Sequence, residues 1–92
     1  MISKRFVIHN ERGIHLRPAM AMVEAAEAAQ CDVIVRRWGE TFGARSLLRF
    51  LAAQIAEGEE IEIICDGADE KEAMAALEAL ITSGFEEVLT NE

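Results

Sequence analysis

The sequence of 92 residues has one proline, two cysteines and no apolar run near the roughly 18 residues a membrane span requires. It also lacks any biased tract. With 51% hydrophobic and 28% charged residues it falls outside the disordered, collagen-like and disulfide-scaffold classes. Met1-Ile2-Ser3-Lys4-Arg5 leads into an alternating segment instead of a signal-peptide core, so a cytoplasmic location is expected. Cys31 and Cys65 lack the paired spacing of a metal knuckle or redox motif and read as small core hydrophobes. The length suits one domain over residues 1–92, expected as a monomer. Basic residues are scarce in the second half, where Lys71 stands alone against twelve acidic side chains. Residues 1–49 hold eight basic side chains and five acidic ones. The net charge of −8 speaks against general nucleic-acid binding or attraction to an anionic membrane. Its asymmetry reads either as a basic functional face on an acidic body or as ordinary solvated surface.

What is present is regular patterning. Ile2, Phe6 and Ile8 alternate along a first strand ending near His9, itself read as solvent-facing. After Asn10-Glu11-Arg12-Gly13 the period changes, and Leu16, Ala19, Met20, Val23 and Ala26 mark one face of a helix with Pro18 in its first turn. Val33-Ile34-Val35 and Glu40-Thr41-Phe42 form a hairpin around Trp38-Gly39, with a positive backbone angle expected at Gly39 alone. Ser46 precedes a short second helix whose apolar positions, Leu47, Leu48, Phe50, Leu51 and Ile55, run towards Gly58. Ile61, Ile63 and Cys65 alternate in a fourth strand. Asp69, with Glu72 three residues on, is positioned to cap a third helix with a buried stripe of Ala73, Leu77, Leu80 and Ile81 and a stop at Gly84. The order β-α-β-β-α-β-α implies an α+β fold, a two-layer sandwich with the helices on one face of a largely antiparallel sheet.

The most informative stretch is Gly13-Ile14-His15-Leu16-Arg17-Pro18. It sets an imidazole at the entrance of a helix and a guanidinium two residues later. The first N–H groups of a helix lack intrahelical partners and lie at the positive end of its dipole, so backbone around Leu16, Arg17 and Pro18 suits phosphate oxygens. Arg17 adds charge-assisted donors, and His15 is the candidate nucleophile: a neutral imidazole nitrogen attacks phosphorus near neutral pH and forms a labile phosphoramidate. The competing reading has His15 merely capping the helix or lying on the surface. A carrier needs no metal, cofactor or enclosed pocket of its own, because donor and acceptor proteins complete the site; it is a stoichiometric intermediate and not an independent catalyst.

These residues, with Ala44-Arg45-Ser46-Leu47-Leu48, Ile55-Ala56-Glu57-Gly58 and Gly67-Ala68-Asp69-Glu70, make the chain resemble HPr. HPr is the histidine-containing phosphocarrier family of the bacterial phosphoenolpyruvate-dependent sugar phosphotransferase system. The resemblance implies an open-faced sandwich with strand order 1-4-2-3, a phosphoryl group on Nδ1 of His15 and Arg17 as its partner. It also implies charging by Enzyme I and discharge to enzyme IIA domains. Ser46, which alone reads as an N-cap worth about 1 kcal/mol, corresponds to the position modified by HPr kinase/phosphorylase in bacteria that have it. Arg49, Gln54 and Trp38 depart from small residues common in the family.

Leu47, Leu48 and Phe50 crowd one helical turn and cannot all face inward. With Leu16 and Met20 they form a candidate docking patch beside His15, fringed by Arg17, Arg45 and Arg49. Two other functional readings stand beside a carrier in sugar uptake. One is a regulatory phosphocarrier of the nitrogen-type branch; the other is a non-catalytic binding module that docks a regulatory protein. A metal site built from His9, His15, Cys31 and Cys65 finds no support in their spacing.

Overall fold

The structure is a computed structural model and describes residues 1–85, so residues 86–92 of the expected 1–92 unit lie outside the described residues. Strand β1 (Ile2–Val7) leads to helix α1 (Leu16–Ala28), strands β2 (Asp32–Arg37) and β3 (Glu40–Gly43), helix α2 (Leu47–Ala53), strand β4 (Glu60–Asp66) and helix α3 (Glu70–Thr82). The sheet order is β1-β4-β2-β3 with every neighbouring pair antiparallel. This is the expected α+β open-faced sandwich, with three helices on one face of the sheet.

Alternation sorts the side chains. Phe6 faces Ile61 across β1 and β4, Val35 faces Ile63 and Val33 faces Cys65 across β2 and β4, and all six are buried. Against them pack Ala19, Met22 and Ala26 of α1, Phe50 of α2, and Ala73, Met74, Leu77 and Ile81 of α3. Each large side chain so buried contributes about 1.5–3 kcal/mol. The opposite face carries Arg5, Glu62 and Arg36 in register across three strands, with Arg36 Nη1 3.2 Å from Glu62 Oε1. Cys31 and Cys65 are free, buried thiols, as expected, and burial pushes Cys65 up to about 11. Among the described residues, no helix is long and apolar enough to cross a membrane.

Four local expectations are corrected. On α1 the buried face is Pro18, Ala19, Met22 and Ala26, so Leu16 and Met20 sit outside the stripe. The β2–β3 turn has positive φ at both central residues, Trp38 (54°) and Gly39 (78°), the twist that matches a two-residue hairpin. The strained tryptophan is exposed, and the Arg37 guanidinium lies 4.4 Å from its ring centroid. Helix α2 ends at Ala53 and not near Gly58, because Gln54 adopts the left-handed conformation (φ 50°) and stops it. Asp69 occupies the N-cap of α3 without capping it: its carboxylate accepts from Gln30 N (2.8 Å) and Cys31 N (2.9 Å), tying α3 to the α1–β2 loop.

Candidate functional site

His15 is the N-cap residue of α1, with extended backbone (φ −88°, ψ −162°) and a partly exposed ring that makes no cap bond to the helix. Its position is set by the loop before it. Gly13 N donates to Asn10 O (2.9 Å), Asn10 Nδ2 donates back to the Gly13 carbonyl, and Ile14 N donates to Ile55 O (2.9 Å). Ile14 buries its side chain in the core, so the residue before His15 is anchored through both side chain and backbone. Gly13 is needed twice: its φ is +64°, and a Cβ there would lie 2.2 Å from the Ile55 carbonyl oxygen. The His15 loop therefore rests directly on the Ile55–Ala56 peptide.

From His15 the helix begins with Ala19 N donating to His15 O at 2.9 Å. Leu16 and Arg17 occupy its first two positions, where no intrahelical carbonyl is available to an amide, and Pro18 brings no N–H. Pro18 is buried and Arg17 exposed. The positive end of the α1 dipole and two peptide amides thus meet at the helix start beside His15, with exposed Arg17 in the same turn. An imidazole there can hold a dianionic phosphoryl group that is favoured electrostatically as it arrives.

Of the residues expected in a docking patch, the structure leaves some exposed and buries others. Leu16 and Met20 are 51% and 44% exposed, and with Arg17, Ala21 and Glu24 they line a depression of about 380 Å³. On α2, which packs against α1, Leu48 is 78% exposed and Arg49 is exposed, while Leu47 is half-buried against the core. Phe50 does not belong to the patch. It is fully buried, edge-on to Phe42 with ring centroids 5.0 Å apart, because it lies two residues, about 200° of helix, from Leu48. Leu51, one of the apolar positions of α2, is 36% exposed and shares the face of Leu48. The crowding of apolar residues on α2 pointed to such an exposed side chain without saying which.

Arg45 is also corrected. Its guanidinium donates to the carbonyls of Ala29 (2.8 Å) and Cys31 (2.9 Å), just past the C-terminal end of α1. His15 begins that helix, and thirteen residues at 1.5 Å each separate the two ends by about 20 Å. Arg45 therefore fastens the far end of α1 and does not fringe His15. Ser46 is the N-cap of α2, its Oγ accepting from Arg49 N at 3.2 Å. His9 is exposed, and among the described residues no group of three or more His, Cys, Asp or Glu side chains is arranged to hold a metal ion.

Comparison with known proteins places this geometry. A family model described as "PTS HPr component phosphorylation site" matches residues 2–83. The phosphocarrier protein NPr of Escherichia coli K12 is 38% identical over 81 residues, covering 87% of this chain and 90% of that protein. The phosphocarrier protein HPr of Treponema pallidum is 32% identical over 87 residues, covering 95% and 99%. A crystal structure of HPr from Thermoanaerobacter tengcongensis superimposes with a TM-score of 0.89 at 29% identity, covering 92% of this chain and 96% of that one. The open-faced sandwich with its 1-4-2-3 sheet is thus a shared fold, and the chain belongs to the HPr family of phosphocarriers of the phosphotransferase system.

Proposed function

We propose that this phosphocarrier takes its phosphoryl group onto His15 from phospho-Enzyme I and passes it to enzyme IIA domains in sugar uptake. The neutral imidazole nitrogen, Nδ1 by family resemblance, attacks phosphorus; the N–P bond forms as the bond to the donor breaks. Transfer onward reverses the roles. The dianion is favoured by the Leu16 and Arg17 amides, whose place at the head of α1 is fixed before the step, by the helix dipole and by the Arg17 guanidinium. Leu16, Met20, Leu48 and Leu51 supply an apolar contact beside the charge, and Arg17 and Arg49 suit an acidic partner surface. The proposed docking face draws on α1 and α2 of one chain, and the proposed carrier acts as a monomer.

The observation that carries this reading is His15 at the N-cap of α1, held by the anchored Ile14 and followed by Arg17. Incubation with purified Enzyme I and labelled phosphoenolpyruvate tests it: the chain acquires acid-labile label, and His15→Ala acquires none. A second reading, a regulatory carrier of the nitrogen type, is favoured by 38% identity to NPr against 32% to the Treponema HPr. Charging rates with Enzyme I of each branch separate the two, the true donor being the faster. Ser46 is the proposed regulatory position for HPr kinase/phosphorylase. A phosphate there adds about −1.5 to −2 charges beside Leu47 and Leu48 and weakens docking to an acidic partner.

A further inference from the structure

Glu59 lies in the turn between α2 and β4, and nothing in its sequence context marks it. Its Oε1 accepts hydrogen bonds from Ala56 N at 2.8 Å and from Arg37 Nη1 at 2.9 Å. The ion pair is sheltered: the Arg37 and Glu59 side chains are 14% and 21% exposed, against 52% and 40% for Lys4 and Glu78. Arg37 in turn stacks on Trp38. The backbone of Glu59 is fixed as well, its N–H donating to Ala56 O (3.1 Å) and its carbonyl accepting from Ile8 N (2.9 Å).

The consequence comes from peptide planarity. Ala56 N–H and Ile55 C=O belong to one rigid amide. The N–H end is held by the Glu59 carboxylate, while the C=O end accepts from Ile14 N and lies against Gly13. A carboxylate on one end of an amide also polarises it, strengthening the carbonyl as an acceptor at the other. We propose that Glu59 is a positioning residue for phosphoryl transfer, clamping the Ile55–Ala56 amide that sets the height of Ile14 and so the entry of His15 into α1, with Arg37 holding the clamp. This rests on His15 being the acceptor, but the clamp has a signature of its own. The hydrogen bonds of Glu59 run to Ala56, Arg37 and Ile8, none of them in the proposed docking face.

The test compares Glu59→Ala, Glu59→Gln and, as a control, Lys4→Ala, which removes the Lys4–Glu78 ion pair. Amide hydrogen exchange reads the clamp directly. Glu59→Ala is expected to speed Ile14 exchange about tenfold or more, the loss expected of one charge-assisted hydrogen bond, with Ile63 unchanged. Glu59→Gln keeps an oxygen for Ala56 N and restores most of the protection, and Lys4→Ala leaves Ile14 as in the parent. Phosphoryl uptake at saturating Enzyme I should slow in step with Ile14 exchange, with half-saturation within about twofold. Unchanged Ile14 exchange in Glu59→Ala overturns the proposal, and so does an equal rise in Lys4→Ala. An uptake defect confined to half-saturation overturns it too, since that marks Glu59 as a docking residue. A parent protein that takes up no phosphoryl group refutes the carrier reading instead, and Ile14 exchange still decides the clamp.

Discussion

A methyl group on Gly13 would meet the Ile55 carbonyl oxygen at 2.2 Å and the Ala56 Cα at 2.8 Å while forcing an L-residue to φ +64°. Gly13→Ala is therefore expected to lose about 1–3 kcal/mol from backbone strain alone. It should also slow charging of His15 beyond what the lost stability explains, since the only relief is to lift the loop off Ile55. Urea unfolding beside phosphoryl uptake measures both; a variant with parental stability and parental uptake contradicts the contact. Asp69 makes a second prediction at this scale. Hydrogen bonds from Gln30 N first, and then from the Cys31 thiol and N–H, hold its carboxyl below the usual value of 3.8. A carboxyl whose folded pKa is depressed contributes stability above its unfolded pKa and loses it as pH falls through the folded one. Thermal unfolding of Asp69→Asn should fall less steeply than that of the parent on acidification from about pH 5 to pH 2. Parallel curves would show that the link to the α1–β2 loop does not titrate.

Helix α2 shows what burial face does to function. Leu48 and Leu51 share the exposed side and Phe50 the core side, so alanine at these positions separates docking from folding. Leu48→Ala and Leu51→Ala should raise the Enzyme I concentration for half-maximal charging while changing stability by less than about 0.5 kcal/mol. Phe50→Ala should lose about 3–5 kcal/mol. Equal charging by both leucine variants and the parent would remove the apolar patch from the account. The elements themselves were legible because alternation and helical spacing are local. The buried face of α1 was not, because Arg17 is the only polar residue between Leu16 and Val23 and nearly every face looks apolar. The end of α2 was hidden because Gln54 carries no mark of its left-handed backbone. Asp69 read as a local cap when its partners lie across the fold. His15, Arg17 and Pro18 are neighbours in the chain and were legible together, whereas the Ile55–Ala56 support comes from a distant turn.

The whole molecule carries −8 net charge, yet exposed Arg17 stands in the first turn of α1, two residues from His15. Encounter with an acidic partner surface should therefore be steered, and the association rate with Enzyme I should fall as salt rises past the ionic strength where screening shortens to about 10 Å. A salt-independent rate would mean that apolar contact alone selects the partner. The fold packs α1 against the sheet with His15 at the head of the helix, the place of the proposed phosphoryl transfer. The most direct measurement is ³¹P and ¹⁵N nuclear magnetic resonance of the protein charged by Enzyme I and phosphoenolpyruvate. The expected result is one phosphoramidate resonance, coupled to Nδ1 of His15 and lost in His15→Ala. A phosphoryl group on any other residue, or one that persists in His15→Ala, contradicts it.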